Sequence, residues 1–319
     1  MGERESLFPL FLPLIWLLSC DNAYNIREMQ MKKATNKMFT LILLIVFFIG
    51  LSVLLYPAIS QYWNARVQSK AILDYDRTVK TMTEEDFASE WEKAVEYNHQ
   101  LGKLPYPLRD YRRLSDAYNA AANIGGNGIM GYIAIDKLQL EIPIYHGGSE
   151  IVLNTACGHY EGTSLPIGGK STHSVLMAHR GLPHAKLFTD LDKMQVGDTF
   201  VINILGQELT YEVVQIRIVL PEDVSDVQIV PEEDYCTLVT CTPYGINTHR
   251  LLVQGTRIET IRHREIYVTS DAFLVDRVIV TPIVALPMIF ILIVIVVCKP
   301  VKKKFKVQNY VDIEEDELE

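Results

Sequence analysis

The chain has 319 residues, of which 49% are hydrophobic and 22% are charged, and its formal net charge is −9 at pH 7. The apolar content, together with 16 Tyr and 11 Phe, excludes a disordered chain. The acidic balance leaves no basic face outside the flanks of the apolar segments, so we predict no nucleic-acid partner. Five Cys are too few for a disulfide scaffold.

Two long segments of the chain carry no charged residue, 39–65 and 278–298. Each is long enough to cross a bilayer core of about 30 Å as a helix of about 20 residues. We therefore predict one transmembrane helix at 39–63 and a second at 278–298, with the lipid bilayer as a partner. Two such spans exclude a soluble cytosolic enzyme.

Basic residues predict the orientation of both spans. Three Lys lie within 32–37, before the first span, and five Lys lie within 299–306, after the second. Because Lys and Arg flanks stay in the cytoplasm, we predict that both termini are cytoplasmic and that the intervening segment is extracellular. The N-terminal segment 1–38 then includes a dispensable or over-extended start, 1–30, and 299–319 forms a cytoplasmic tail.

The outer segment begins with a predicted helical extension, 64–130. Thr83 and Asp86 form a capping-box pattern, and apolar residues at helical spacing follow over 87–101. A loop with two prolines separates this pattern from a second, polar helical stretch at 111–122. We expect these helices to pack against the domain that follows.

The residue pattern changes in the next segment, 131–260. Short runs rich in β-branched and aromatic residues are separated by Gly, Pro and Asp, which predicts an all-β barrel or sandwich. The predicted strands are 132–135, 138–145, 174–177, 199–205, 209–220, 235–240 and 250–256. One helical candidate, 185–194, interrupts them, and 261–277 forms a linker to the second span.

Three polar residues stand at the ends of predicted strands: His179, Cys241 and Arg250. A strand end holds a side chain rigidly yet leaves it accessible, which suits catalysis. A cysteine attacks as its thiolate and is activated by a neighbouring imidazole. An arginine can stabilise the oxyanion of a tetrahedral intermediate. The three residue types together indicate a cysteine nucleophile that acts on a carbonyl group.

Plainer interpretations of these residues stay open. A cysteine is more often an inert core residue than a nucleophile, although the turn after Cys241 places it at a strand edge. Cys157 and Cys236 are predicted to be buried thiols, with a disulfide between them as the alternative. A zinc site from His173, His179 and Cys241 lacks the paired spacing of zinc ligands. We therefore predict no metal and no cofactor, and we expect His173 to be solvated.

Four segments of the outer domain carry motifs that belong together. Residues 237–253 read TLVTCTPYGINTHRLLV, and residues 178–183 read AHRGLP. Residues 158–166 read GHYEGTSLP, and residues 220–223 read LPED. These motifs closely resemble those of the sortase family, in which the first two segments carry the catalytic cysteine and histidine. The resemblance covers residues 65–260.

The resemblance implies an eight-stranded β-barrel and a transpeptidase that acts on secreted proteins with an LPxTG-like sorting signal. Cys241 would attack the Thr–Gly carbonyl and hold a thioester. His179 would protonate the leaving amine and deprotonate the incoming one. Arg250 would position the substrate and stabilise the oxyanion, and Thr240 would line the same pocket.

Two spans and a tail after the barrel resemble the pilin-polymerising sortases, called class C. This resemblance implies pilus assembly, with a pilin lysine as the acceptor amine. In that class an N-terminal segment with an Asp-Pro-aromatic motif forms a lid over the site. Here 104–111 reads LPYPLRDY and lacks the motif, so Tyr106 or Tyr111 is the candidate plug of a lid.

Two other functions compete with pilin polymerisation. The first is a sortase that attaches proteins to cell-wall peptide, because no motif in the chain encodes the acceptor. The second, of a different class, is a catalytically silent receptor or scaffold that keeps the barrel. The joint presence of Cys241, His179 and Arg250 argues against the silent form.

Overall fold

The computed structural model describes residues 12–260 and the single residue 289, with side chains from residue 38 onward. The predicted linker, 261–277, and the predicted tail, 299–319, lie outside the described residues. The second predicted span lies outside them as well, apart from residue 289.

A long helix, α1, begins at Leu12 and ends at Thr81. Its part Met38–Thr81 is long and apolar enough to cross a membrane, so it contains a candidate for the first predicted span. Residues 54–260 belong to one of the two compact units into which the chain divides, and this unit contains the barrel.

Three further helices form the extension before the barrel: α2 Glu84–Gly102, α3 Pro107–Asp110 and α4 Ser115–Ala120. The capping box predicted at Thr83 is present, because the Asp86 N–H donates to the Thr83 hydroxyl and the Asp86 carboxylate accepts the Thr83 N–H. This cap satisfies the first N–H groups of α2. The segment 64–101, predicted to be helical, therefore forms the end of α1 and most of α2, with Thr83 at the junction.

Eight strands follow the extension. They are β1 Ile129–Ile135, β2 Leu140–His146, β3 Cys157–His159, β4 Thr172–Met177, β5 Thr199–Ile204, β6 Gln207–Val219, β7 Asp234–Thr242 and β8 His249–Ile258. They close into a barrel in the order β1-β2-β3-β4-β7-β8-β6-β5, which confirms the expected eight-stranded fold. The sequence pattern missed only β3, because a strand of three residues is too short to show alternation.

The helix predicted over 185–194 is wrong. Within it only Leu191–Lys193 is helical, as a single 3₁₀ turn. Leu187 has a positive φ of +40°, and both Leu187 and Phe188 are buried in the main core. Tertiary burial of these side chains therefore overrides the helical pattern, which is only a weak local preference.

The extension and the barrel share one hydrophobic core. Tyr97 and Leu101 of α2 and Tyr118 of α4 are buried in the same cluster as the barrel interior. Asn98 joins the two parts through both of its side-chain groups, because Oδ1 accepts the Leu165 N–H at 2.7 Å and Nδ2 donates to the Leu165 carbonyl at 3.2 Å. The extension is thus held against the segment between β3 and β4.

Candidate active site

Three adjacent strands bring the predicted reactive residues together, because β7 lies between β4 and β8 in the barrel. Cys241 of β7 pairs directly with Arg250 of β8, and the Cβ atoms of such a pair lie about 5 Å apart. On the other side of β7, Met177 of β4 pairs with Val239 in parallel. The chain therefore reaches His179 two residues later, at the level of Cys241.

Cys241 and Arg250 lie on the outer face of the barrel. Side chains alternate between the two faces of a strand: Leu238 is buried in the main core, whereas Val239 packs against a separate cluster that includes Leu252. Cys241 shares a face with Val239, and Arg250 shares a face with Leu252. The thiol and the guanidinium therefore belong to one surface, and both residues are half-buried.

Cys241 is the accessible thiol among the described cysteines. Cys157, Cys236 and Cys241 are all free, and the first two are fully buried. The alternative disulfide between Cys157 and Cys236 is therefore not formed, and both are the buried thiols that the sequence predicts. Burial raises the pKa of each of these two thiols. Because the thiolate is the nucleophile, both are poorly suited to attack.

His179 lies just beyond the end of β4, where its carbonyl accepts the N–H of Phe188 at 3.2 Å. Its Nε2 lies 3.6 Å from the carboxylate Oε2 of Glu150. Glu150 is the first residue of a short helix, α5 (Glu150–Leu153). Sequence reasoning missed Glu150, because it belongs to a different element and no spacing motif links it to the histidine.

Arg250 is held at the start of β8 by the loop that joins β7 to β8. Its Nη1 donates to the backbone carbonyls of Asn247 at 3.3 Å and His249 at 3.1 Å. A guanidinium carries five N–H donors, and both described contacts use the same nitrogen. The side chain is thus anchored while other donors stay available for a substrate oxygen.

Thr240 has a different position from the one predicted. Its side chain is 2% exposed, and strand alternation directs it to the face opposite Cys241. Its hydroxyl donates to the Ala178 carbonyl at 2.8 Å, next to His179. Thr240 therefore ties the end of β4 to β7, so that it supports the strands that carry His179 and Cys241 instead of lining the outer face.

The loops that follow His179 and Cys241 pack against each other through Arg180. Its Nη1 donates to the Thr242 hydroxyl at 3.3 Å, and its guanidinium also pairs with Asp192. The Tyr244 ring lies 5.8 Å from the same guanidinium. Gly181 has a φ of +78°, and a Cβ there would meet the Tyr244 ring at 2.9 Å. The glycine is needed for this close approach.

The barrel end of α1 reaches the same loops. Asn64 donates to the His184 carbonyl at 2.7 Å, Gln61 to the Pro183 carbonyl at 3.3 Å and Gln68 to the Thr155 carbonyl. These three amides recur three and four residues apart, so they lie on one helix face. That face supports both the loop after His179 and the segment after α5.

A small buried apolar cluster lies on the outer side of the barrel next to the site. Val175, Val219, Val227 and Leu252 form this cluster, and Leu108 of α3 packs on it. We call these four valine and leucine residues the outer cluster. Because Val239 also packs on it and precedes Cys241 by two residues on the same face, the outer cluster leads directly to the thiol.

The two tyrosines predicted as a lid plug lie on either side of Leu108. Tyr106 is 60% exposed, and its ring lies 4.4 Å from the Arg109 guanidinium. Tyr111 is half-buried and packs on the main core, where a Cβ on Gly162 would meet its ring at 3.1 Å. Within the described contacts, Leu108 is the residue of this segment that covers the outer cluster.

His159 has a structural role. It is fully buried, its Nε2 lies 2.8 Å from the Ser164 carbonyl and its Nδ1 lies 3.0 Å from the Tyr118 hydroxyl. The carbonyl requires a proton on Nε2, so Nδ1 accepts the hydroxyl proton of Tyr118. Burial lowers the pKa of His159 to about 3, and the ring is neutral at pH 7.

His173, predicted to be solvated, is instead 1% exposed. Its Nδ1 lies 2.8 Å from the Gln228 carbonyl and its Nε2 lies 2.8 Å from the Thr237 hydroxyl. Burial lowers the pKa of the ring. Because His173 precedes His179 by about 20 Å of extended chain, these two histidines and Cys241 do not form the alternative zinc site.

Comparisons with known proteins show the family of this chain. A family model described as the sortase domain matches residues 133–258. The crystal structure of sortase C1 from Streptococcus agalactiae is 51% identical and has a TM-score of 0.56, over 60% of this chain and 98% of that chain. The chain belongs to the sortase family. Sortases are cysteine transpeptidases, and solved structures of class C sortases resemble this sortase.

Two further class C structures resemble this sortase. Streptococcus pneumoniae sortase C, whose structure gives insights into pilin substrate specificity, is 42% identical with a TM-score of 0.53, over 60% of this chain and 97% of that one. Clostridium perfringens sortase C, solved with the C-terminal cell wall sorting motif, is 38% identical with a TM-score of 0.51, over 60% of this chain and 99% of that one.

The curated relatives are more distant. Sortase D of Bacillus subtilis is 28% identical over 131 residues, which are 40% of this chain and 63% of that protein. This sortase therefore spans less than two thirds of that relative. The family and the barrel are shared, and the substrates and partners of this sortase are matters for proposal.

Proposed function

We propose that this sortase is a membrane-anchored transpeptidase that cleaves an LPxTG-like sorting signal and joins the acyl group to an amine of a pilin lysine. The observation that carries the proposal is the cross-strand pair of Cys241 and Arg250 on the outer face, with His179 at the end of the adjacent strand. A catalytically silent receptor would have no need for these three groups on one surface.

In the first half-reaction the Cys241 thiolate attacks the carbonyl carbon of the Thr–Gly bond. The carbonyl oxygen becomes an oxyanion, and the Arg250 guanidinium stabilises it in the partly desolvated site. The His179 imidazolium gives its proton to the departing glycine nitrogen. The C–N bond breaks, and the threonine carbonyl stays on sulfur as a thioester.

In the second half-reaction an amine attacks the thioester carbonyl. Neutral His179 removes a proton from the amine, and Arg250 again stabilises the oxyanion. The C–S bond breaks, the Cys241 thiolate is released and an amide joins the two polypeptides. The buried hydroxyl of Thr240 takes no part in these steps, but its bond to the Ala178 carbonyl keeps the two strand ends in register.

The outer cluster supports a sorting signal as the substrate. Four buried aliphatic side chains lie next to Val239 and beneath Leu108, and, once uncovered, apolar side chains of this kind suit the Leu and Pro of an LPxTG sequence. The Clostridium perfringens relative was solved with a sorting motif. We propose that the same kind of peptide lies along the outer cluster here.

Leu108 packs on the outer cluster, so we propose that 104–111 acts as a lid, with Tyr106 and Tyr111 on either side of the covering residue. Leu108→Ala is expected to speed the labelling of Cys241 by an uncharged thiol reagent, because less apolar contact holds the segment closed. Tyr106→Phe, at an exposed position, serves as the control. An unchanged labelling rate after deletion of 104–111 would show that no lid operates.

A pilin lysine is the proposed acceptor because the similar structures are class C sortases, one of which concerns pilin substrate specificity. Attachment to cell-wall peptide is the competing outcome. We further propose that α1 anchors the enzyme in the cell membrane with the barrel outside. The basic flanks of both predicted spans support this orientation and cytoplasmic termini.

The test uses the full chain in detergent with an LPxTG peptide, followed by a pilin domain or a wall peptide as acceptor. Intact mass should show a thioester adduct that Cys241→Ala abolishes. Arg250→Ala should lower the acylation rate by about 10²–10³, the usual effect of losing an oxyanion donor. If only the wall peptide gives a product and the pilin domain gives none, the function is attachment to the cell wall. If Cys241→Ala still forms a product, the mechanism is wrong.

A further inference from the structure

A single exposed carboxylate lies beside the proposed general base. The Oε2 atom of Glu150 is 3.6 Å from Nε2 of His179. The Glu150 side chain is 83% exposed, whereas that of His179 is 29% exposed. The carboxylate therefore faces the solvent from which an acceptor must arrive, next to the atom that must take the acceptor's proton.

The other charged groups around the site are mostly cationic and already engaged. Arg250 is anchored by the carbonyls of Asn247 and His249, and Arg180 is paired with Asp192. Arg250 keeps its net positive charge because these carbonyls are neutral, so it repels an approaching ammonium group, whereas Asp192 offsets the charge of Arg180. Glu150 is the described carboxylate in contact with His179, so it supplies the negative charge at this entrance.

The exposure of Glu150 argues against a role in holding the fold. An exposed pair of charges contributes little to stability because water and salt screen it. A charge on the rim of a binding site instead changes the rate of association and the choice of partner, and both effects depend strongly on salt. The position of Glu150 fits recognition of a cation that arrives from solution.

We propose that Glu150 is the acceptor-recognition residue of this sortase: its carboxylate binds the ammonium of an incoming lysine and holds that amine beside His179. This inference rests on the proposed transpeptidase function and names the residue that selects a cationic amine over water. Glu150 touches the substrate amine, so it acts by binding and leaves acylation to Cys241, His179 and Arg250.

The proton balance defines what Glu150 does. The acceptor arrives as an ammonium, since a lysine amine has a pKa of about 10.4, and neutral His179 takes one proton from it. The amine then attacks the thioester, the C–N bond forms and the C–S bond breaks to release the Cys241 thiolate. The second proton on nitrogen leaves to water as the amide forms. Glu150 keeps its charge throughout.

The experiment measures acylation and aminolysis separately on the full chain in detergent at pH 7.5. An LPxTG peptide forms the acyl-enzyme, which is followed by intact mass. The acceptor is either a lysine peptide, which is cationic, or hydroxylamine, which is uncharged at this pH. Glu150→Gln removes the charge at nearly constant shape, and Glu96→Gln, at an exposed position on α2, is the matched control.

Glu150→Gln is expected to acylate at the wild-type rate and to use hydroxylamine within twofold of wild type. Its kcat/KM for the lysine peptide should fall about tenfold, mainly through KM, and the difference should shrink in high salt. Glu150→Asp should recover part of the loss, and Glu96→Gln should show none.

Three results would overturn the inference. An equal loss with both acceptors, or a loss of acylation, would make Glu150 a positioning residue for His179. An unchanged kcat/KM of Glu150→Gln for the lysine peptide would show that Glu150 does not bind the acceptor. If the wild-type chain forms no thioester at all, the proposed function itself fails, and that outcome is distinct because it precedes the acceptor step.

Discussion

The hydroxyl of Tyr118 joins the helical extension to the barrel, and its removal makes a sharp test of the structure. It accepts the N–H of Gly147 at 2.9 Å and donates to Nδ1 of His159 at 3.0 Å. Tyr118 is 4% exposed and His159 is fully buried. Tyr118→Phe keeps the ring in the core but deprives both partners of their hydrogen bond.

The magnitude follows from these two partners. A buried polar group left without a hydrogen bond costs about 1–3 kcal/mol, so Tyr118→Phe should lower the free energy of unfolding by about 3 kcal/mol. For a domain of this size, 1 kcal/mol corresponds to about 2–4 °C. We therefore expect Tm to fall by about 6–12 °C.

The assay is thermal unfolding of the full chain in detergent, followed by near-ultraviolet circular dichroism. Tyr106→Phe, which removes an exposed hydroxyl, serves as the control and should change the stability by less than about 0.5 kcal/mol. A loss of less than about 0.5 kcal/mol for Tyr118→Phe would refute the assigned proton positions of His159, because its Nδ1 would then not depend on the tyrosine.

Three more predictions concern the supports of the site and its titration. Thr240→Val should lower the free energy of unfolding by about 1–2 kcal/mol and should slow thioester formation, which is followed by intact mass. An unchanged acylation rate would show that the strand ends stay in register without the Thr240 hydroxyl. Asn64→Ala removes the hydrogen bond to the His184 carbonyl and should slow acylation a few-fold, whereas Ser69→Ala on the same helix should not. Equal acylation rates for the two variants would show that α1 does not position the loop. The pKa of His159 is lowered to about 3, so the unfolded chain binds a proton below pH 6.5 that the folded chain does not. The free energy of unfolding should therefore fall between pH 6.5 and 5, by up to about 1.4 kcal/mol per pH unit from this residue, and a flat urea-denaturation profile over that range would contradict a buried neutral ring.

Local patterns predicted the elements whose signals lie within a few residues. The cap at Thr83 depends on a partner three residues away, and over 209–213 the first half of β6 alternates between buried and partly exposed residues. The end positions of His179, Cys241 and Arg250 also follow from local strand boundaries. These features need no knowledge of distant parts of the chain, so sequence reasoning finds them.

The errors arise where distant contacts decide the structure. The segment around Leu187 has helical periodicity, yet burial in the barrel core holds it as a loop. His173 reads as a polar residue on a strand, but the Gln228 carbonyl and the Thr237 hydroxyl allow it to be buried. Glu150 likewise meets His179 only because β3, which follows α5, pairs with the end of β4.

Closure of the barrel also governs how it meets extended polypeptides. Within the described strands, each has a neighbour on both sides along at least part of its length, which shortens the backbone edges on which a foreign segment could add as a new strand. An extended segment therefore finds little free backbone to pair with on the barrel. A polypeptide that meets the barrel is then selected by side-chain contacts, and edge-to-edge association between two copies of the barrel is disfavoured.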